Sequence, residues 1–364
     1  MDFNLTEERR MLQDTLSRFL ADKYDHDSRR KCIASGRPFD PDIYAGLAEL
    51  GVLGALFTED QGGFGGMGFD LSVVFEELGR AGVIEPLLPA VLTGSLIADR
   101  TDLVEEVIAG ESIVALACTE SQARYDLDNV ETSVVDGKLN GTKVHVLNGA
   151  QASSLVVVAR ESGETTDQDG IALFLVPTDA KGVTIVDYTN NDGTSGATVT
   201  FVDVALDETN RLPGGYAALE AAVARGVLAL SAEALGAMET AKALTIEYLK
   251  ERKQFGIPIG KFQALQHRMA DVLIEVEQAR SAVINLAGHL EADRTTRERN
   301  VSATKNLIGR VGAQVVEESV QMHGGIGMTD EYALSHFTRR ITMIDHWFGD
   351  VDHHLARFIA LSAA

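Results

Sequence analysis

The chain changes texture twice along its length, and that segregation constrains its fold more than any single residue. Over the first hundred or so residues, Leu12, Leu16, Phe19 and Leu20 recur at helical spacing. Leu47, Leu50, Val52 and Leu53 do the same, as do Leu71, Val74, Phe75 and Leu78. A glycine-rich loop from Asp60 to Gly68 interrupts them, and the pattern predicts a helix from Leu103 to Ile108. The apolar runs then become short and β-branched: Ile113 to Ala117, Val134 to Leu139 around an Asp136-Gly137 turn, and Val144 with Val146. Leu155 to Val158, Ile171 to Val176, Val183 to Val186 and Val199 to Val204 continue them. From about Tyr216 the period is helical again, punctuated at Pro258 and Gly260. Helices are expected from Phe262 to about Leu290, from about Thr295 to His323, and from Asp330 or a little later to the end. Strands gathered in one stretch suggest a β-sandwich or barrel, and no strand–GxGxxG–helix unit supports a dinucleotide-binding sheet. The expected fold is α+β: an N-terminal helical domain (1–111), a middle β-sandwich or barrel domain (112–208) and a C-terminal four-helix bundle (209–364).

Charge narrows the partners. With 32 Lys and Arg against 54 Asp and Glu, the net charge is -22. Nucleic acid needs a basic face, so it is not an expected partner, and an anionic membrane surface is equally unsuited. A local basic groove remains compatible with the phosphates of a small ligand. Cys32 and Cys118 give neither a disulfide framework nor a metal spacing, which fits a reducing cytoplasm. The first eight residues are acidic where a signal peptide would be basic, and no apolar run reads as a membrane span. His346, Asp350, His353 and His354 share a helical face, but a solvated helix end explains them without a metal.

Two segments carry chemistry. Arg252-Lys253-Gln254-Phe255-Gly256 lies where a long helix ends before Pro258-Ile259-Gly260. A guanidinium there can hold a diphosphate bidentately, and Phe255 offers a face or edge to an aromatic ring. The plainer reading is a basic helix terminus favoured by the dipole. Gln321-Met322-His323-Gly324-Gly325-Ile326-Gly327 closes another helix. One glycine is a common cap, whereas three in four positions suggest backbone amides brought close to a ligand. Together with the helical–β–helical order, which covers essentially the whole chain, these segments resemble the flavin-embracing motifs of the acyl-CoA dehydrogenase family. The resemblance implies FAD held by Arg252, Gln254, Phe255, Gln321, Gly324, Gly325 and Gly327. Gln263 follows at the family's offset, and Thr119 matches the threonine that approaches the flavin ring.

The departures from the family are as telling. Where it has Pro-Gly-x-Gly-Ser-Asp after Thr-Glu, this chain has Ser121 to Asp126, with Tyr125 in the serine's place. Leu139-Asn140-Gly141-Thr142-Lys143 matches well, yet the tryptophan beside the flavin becomes His145 and the ring-bonding hydroxyl becomes Leu147. The usual catalytic Glu-Gly-Thr becomes Phe348-Gly349-Asp350, and phenylalanine cannot take a proton. An alternative base position on the first long C-terminal helix falls on Gly226. Glu233 and Asp345 are the remaining substitutes, and Glu233 reads more simply as a satisfied polar residue.

In the family each FAD lies between two subunits of a dimer. One gives the β-domain face and catalytic loop, while its neighbour gives the diphosphate and adenosine motifs. This chain keeps the parts that are lent and has lost parts used at home. The resemblance therefore implies a subunit of a heteromeric FAD-dependent acyl-CoA dehydrogenase, two of each chain, whose sister subunit carries the catalytic Glu. A steroid side-chain or dicarboxylyl CoA ester as substrate and an electron-transfer flavoprotein as acceptor follow from the same resemblance. Two alternatives stay open: a self-sufficient homo-oligomer with a displaced base, and a non-enzymatic structural or acyl-CoA-binding relative.

Overall fold

The structure, a computed structural model, describes residues 5–363, so half of the acidic start lies outside it. The first six helices are α1 (Glu7–Lys23), α2 (His26–Ala34), α3 (Pro41–Glu49), α4 (Gly68–Ala81), α5 (Leu87–Thr93) and α6 (Thr101–Ile108). Strands β1 (Val114–Ala117), β2 (Ser133–Val135), β3 (Lys138–Leu147) and β4 (Ser154–Arg160) follow. After them come β5 (Ile171–Pro177), β6 (Val183–Thr189), β7 (Ser195–Ala205) and β8 (Arg211–Leu212). Helix α7 (Gly215–Glu251) leads into a small hairpin of β9 (Lys253–Gln254) and β10 (Ile257–Pro258). The chain ends with α8 (Gln263–His289), α9 (Arg294–His323), α10 (Leu334–His346) and α11 (Val351–Ala363).

The chain forms two compact units, one of Met1–Arg30, Met67–Val83 and Val227–Ala364, the other of Lys31–Gly66 and Ile84–Gly226. In the first, α9 is the axis, with α8, α10 and α11 packed along it, while α4 packs on both α1 and α8. Side-chain oxygens start these helices: Thr6 caps α1 and Asp293 caps α9. Where α4 crosses α7, the two backbones touch. A methyl group added to Gly79 would collide with the Glu233 carbonyl, and one added to Gly236 with the Glu76 carbonyl. Only glycine permits this approach. Arg280 of α8 then locks the crossing, reaching Glu76 of α4 at 2.9 Å and Glu239 of α7 at 2.7 Å.

The second unit holds one eight-stranded sheet of order β6-β7-β3-β2-β4-β5-β8, with β1 pairing in parallel to β4. Asp136 and Gly137, both at positive φ, make the tight turn that sets β2 against β3. Every residue of α5 is buried, and Thr93 at its end hydrogen-bonds the carbonyls of Pro89 and Val114.

Three expectations need correction. The sequence pattern predicts one last helix, but the chain forms α10 and α11, broken where Phe348 and Gly349 both adopt positive φ. The bundle region therefore has three long helices and two short ones. Leu50, Val52 and Leu53 lie beyond the end of α3, where burial in a turn mimics helical spacing. Helix α7 does have the length and hydropathy of a membrane span, yet 89% of its most apolar window is buried, as in a core helix. Both cysteines are buried, and neither forms a disulfide among the described residues.

A buried histidine ties the first unit's N-terminal segment to its C-terminal one. His336 Nε2 faces the Asp330 carbonyl at 3.0 Å, so it carries the proton, and Nδ1 accepts from Arg29 at 2.6 Å. Burial pushes its pKa down to about 4, with Arg29 and Arg339 adding to the shift and the Asp330 carbonyl opposing it. The unfolded imidazole, near 6.5, takes a proton that the folded one refuses. Stability present above that value is therefore lost as pH falls toward 4. Melting temperature should drop across this window by calorimetry, and less steeply in His336→Gln. A second expectation concerns the helix crossing. Gly236→Val should cost at least about 2 kcal/mol in urea unfolding, because the methyls meet backbone that cannot move aside. Gly325→Ala, facing open space, should change stability little.

Candidate functional site

In the first unit, α7 and α9 end side by side. Arg252 continues from α7, its amide bonded to the Tyr248 carbonyl at 2.8 Å. The β9–β10 turn then places Phe255 (φ 54) and Gly256 (φ 82) in left-handed conformations. Glycine adopts this freely, whereas phenylalanine is strained in it. The result throws the Phe255 ring into solvent, 90% exposed and edge-on to Phe262 at 6.2 Å. Arg252, Gln254, Gln263 and Gln321 are exposed, and their side chains make no hydrogen bond or ion pair among the described residues. Helix α9 stops at His323, and an added methyl on Gly324 or Gly325 would meet nothing within 4 Å. Beneath this loop the buried His323 ring stacks on Tyr248, centroids 4.4 Å apart and 25° from parallel. Its other edge meets Tyr332, whose hydroxyl lies 3.2 Å from Nε2. The two sequence motifs are thus brought to one end of the unit. An unpaired guanidinium and open backbone amides are groups that could hold a diphosphate such as that of FAD, and the exposed Phe255 ring offers an aromatic face beside them.

The position of the usual base lies elsewhere in that unit. Phe348 (φ 56) is half-buried beside Trp347 in the break between α10 and α11. Lys305 of α9 donates to the carbonyls of Asp345 (2.9 Å) and Gly349 (2.7 Å), and His354 Nε2 donates to that of Phe348 (3.0 Å). Burial pulls the Lys305 ammonium down to about 8, against the pull of the Asp345 and Asp350 carboxylates. Asp345 is half-buried over Gly309, and burial raises its pKa despite Lys305. Glu233, 3% exposed, is gripped by Arg340 through two bonds of 2.6 and 2.8 Å. Lys305 and His323 stand about five turns apart on α9, roughly 27 Å at the helical rise. The loop of Phe348 and the glycine loop are therefore well separated in this chain.

In the second unit, Thr119 is half-buried at the end of β1, its carbonyl bonded to the Val144 amide at 2.9 Å. Next to it, Glu120 meets the fully buried Lys143 at 2.6 Å and accepts from the amides of Glu131 and Thr132. Burial opposes ionisation of Glu120, but Lys143 and these donors hold its carboxyl down at about 2. A bulge in β3 turns His145 outward at φ 54, where its ring bonds the Tyr188 hydroxyl at 3.0 Å. Leu147 is buried, and Tyr125 lies under the Arg124 guanidinium. At Gly226 a methyl would collide with Leu92, so that position has no room for a base. Sequence reasoning overlooked the Glu120–Lys143 pair, although both residues lie inside segments that it matched. It also overlooked Tyr248, because nothing local marks a ring whose partner is 75 residues away.

A basic hairpin and a glycine loop at one helix end, within this order of helical, sheet and helical parts, define a flavoprotein oxidoreductase. The chain belongs to the acyl-CoA dehydrogenase family, whose members act on acyl-CoA thioesters with FAD. The family's N-terminal, middle and C-terminal domains match residues 6–99, 115–205 and 214–360. The acyl-CoA dehydrogenase IpdE2 of Mycobacterium tuberculosis is 31% identical, over 92% of this chain and 91% of that one. Butyryl-CoA dehydrogenase from Megasphaera elsdenii superposes with a TM-score of 0.90 at 26% identity, covering all of both chains. The steroid acyl-CoA dehydrogenase Tcur3481-Tcur3483, as its G363A variant, gives 0.89 at 30% identity over 98% of each chain.

The buried ion pair sets a stability expectation. Lys143→Met leaves the Glu120 carboxylate without its counter-ion and should cost about 3–5 kcal/mol in urea unfolding. Adding Glu120→Gln should recover most of that loss, since no buried charge then remains at this site.

Proposed function

We propose that this chain is one subunit of a heteromeric FAD-dependent acyl-CoA dehydrogenase. In this reading it lends the diphosphate- and adenosine-binding groups to a partner subunit that carries the catalytic Glu. The observation behind it is the separation on α9: intact, unpaired donors at one end, and at the other a loop with Phe348 where the base belongs. Neither substitute is well placed to replace it. Glu233 is committed to Arg340, and Asp345 turns its Oδ1 into the packing over Gly309, away from solvent. Bound FAD supplies the hydride acceptor for α,β-dehydrogenation.

The chain's own residues then bind and orient. Arg252 would neutralise the diphosphate and the open Gly324 and Gly325 backbone would face it, while Gly327, buried against His323, would shape the loop rather than touch the ligand. Gln254, Gln263 and Gln321 supply hydrogen bonds, and Phe255 packs on an aromatic face. Thr119 retains its place at this chain's own flavin-ring face, but His145 and Leu147 replace the groups that would flank and bond the ring. The reading takes the chain as three domains, 1–111, 112–208 and 209–364, working in the cytoplasm with two copies of each subunit. Its substrate is a bulky or carboxylated acyl-CoA such as a steroid side-chain ester, in keeping with the steroid acyl-CoA dehydrogenase described above. Its electrons pass to an electron-transfer flavoprotein.

Flavin content tests this directly. The chain co-expressed with its sister subunit should carry one FAD per pair of chains, and the chain alone should be colourless. Arg252→Ala in the complex should strip the flavin while leaving the subunits associated on a sizing column. One FAD per copy of the lone chain, with turnover, would instead establish a self-sufficient enzyme.

A further inference from the structure

The two cofactor-holding loops make few contacts of their own. Arg252, Gln254, Phe255, Gly256, Gly324 and Gly325 are all exposed, and a methyl on any of those three glycines would meet nothing within 4 Å. Their positions are inherited from what lies directly beneath. On one side the Arg252 amide bonds the Tyr248 carbonyl. On the other, His323 is the residue immediately before Gly324, and a methyl added to the buried Gly327 would meet the His323 Cβ at 2.9 Å. The Tyr248 and His323 rings stack on each other. A single ring pair thus joins the roots of both loops.

The His323 ring is held on every side. Nδ1 faces the Ser319 carbonyl at 2.8 Å and must donate to it, which leaves Nε2 to accept from the Tyr332 hydroxyl at 3.2 Å. The Tyr332 ring packs against the imidazole with centroids 5.2 Å apart. The residue is 4% exposed. Stacking fixes the tilt of the imidazole and the two hydrogen bonds fix its rotation. A core that needed only volume would require neither.

We propose that Tyr248, His323 and Tyr332 form a clamp that sets the gap between the two loops, with His323 as its positioning residue. The inference rests on the reading that these loops together hold the diphosphate and adenosine of FAD for a partner subunit. A diphosphate bridged by two loops is sensitive to their spacing, since displacements of about an ångström cost large factors in binding and rate. In this proposal the clamp works through the loops it supports. It acts by holding Arg252 and the Gly324 amide at one separation.

The test measures the FAD dissociation constant by flavin fluorescence, using the deflavinated complex with its sister subunit. Thermal stability and subunit association are recorded on the same samples. Tyr248→Leu keeps apolar bulk but removes the stack, and should weaken FAD binding about tenfold. Tyr248→Phe keeps the stack and should stay within about twofold of the parent. Wild-type affinity in Tyr248→Leu, alongside weakened binding in Arg252→Ala, would overturn the clamp and leave the functional reading intact. Unchanged affinity in both variants would overturn the functional reading and the clamp with it. Should Tyr248→Leu fail to assemble, Tyr332→Phe decides the matter, because it deletes one hydroxyl and no ring. A dissociation constant raised about threefold supports the clamp, and an unchanged one overturns it.

Discussion

An ammonium group without water is the constraint around which the C-terminal helices are arranged. Lys305 sits fully buried in the middle of α9, and leaving it unsatisfied would cost several kcal/mol. Its hydrogen-bond partners among the described residues are two backbone carbonyls, those of Asp345 and Gly349, with the Asp345 and Asp350 carboxylates near enough to favour its charge. Satisfying it fixes the end of α10, the break and the approach to α11 together. His354 adds a third grip, on the Phe348 carbonyl. All of these bonds are to backbone, so none depends on which side chain occupies position 348. The loop geometry persists with a phenylalanine at positive φ, a conformation that costs such a residue about 1–2 kcal/mol. The backbone of this loop is therefore set independently of the side chain presented at position 348.

The same separation of shape from chemistry holds in the sheet. Lys143 and Glu120 form the buried pair beside Thr119, and the β3 bulge still turns residue 145 outward. The side chain presented there is a histidine bonded to Tyr188. The ends of α7 and α9 show the opposite pattern. There the groups suited to a phosphate are present, exposed and unengaged, over a tightly determined trio of rings. One part of the chain is thus organised to offer contacts outward, and another keeps its scaffold with altered contents.

Much of this was readable from the sequence, and the reasons are local. Each strand from Val114 to Val204 was visible as a β-branched run, and the Asp136-Gly137 turn was visible because few other residue pairs accept its backbone angles. The motif segments stood out because arginine and clustered glycine at a helix end are locally uncommon. The break after α10 was invisible, since its cause is Lys305, forty residues earlier on another helix. The two-residue strand β8 was missed for lack of any pattern in so short a segment. The apolar length of α7 was underestimated, and its depth inside the first unit and its own stretch of the second could not be read from composition.

By itself, the sequence determined the order of helical and β segments, the family, the absence of a glutamate at position 348, and the residues available to hold a diphosphate. These follow from side-chain type and short-range spacing. Only the tertiary structure decided which of them are free to act. Glu233 is an acid in the sequence and the bound partner of Arg340 in the fold. Arg252 is one basic residue among 32 Lys and Arg in the sequence, and an unpaired guanidinium beside an open glycine loop in the fold. The physical reason is that a charge is committed or left free by what packs against it, and packing is set by residues far away along the chain.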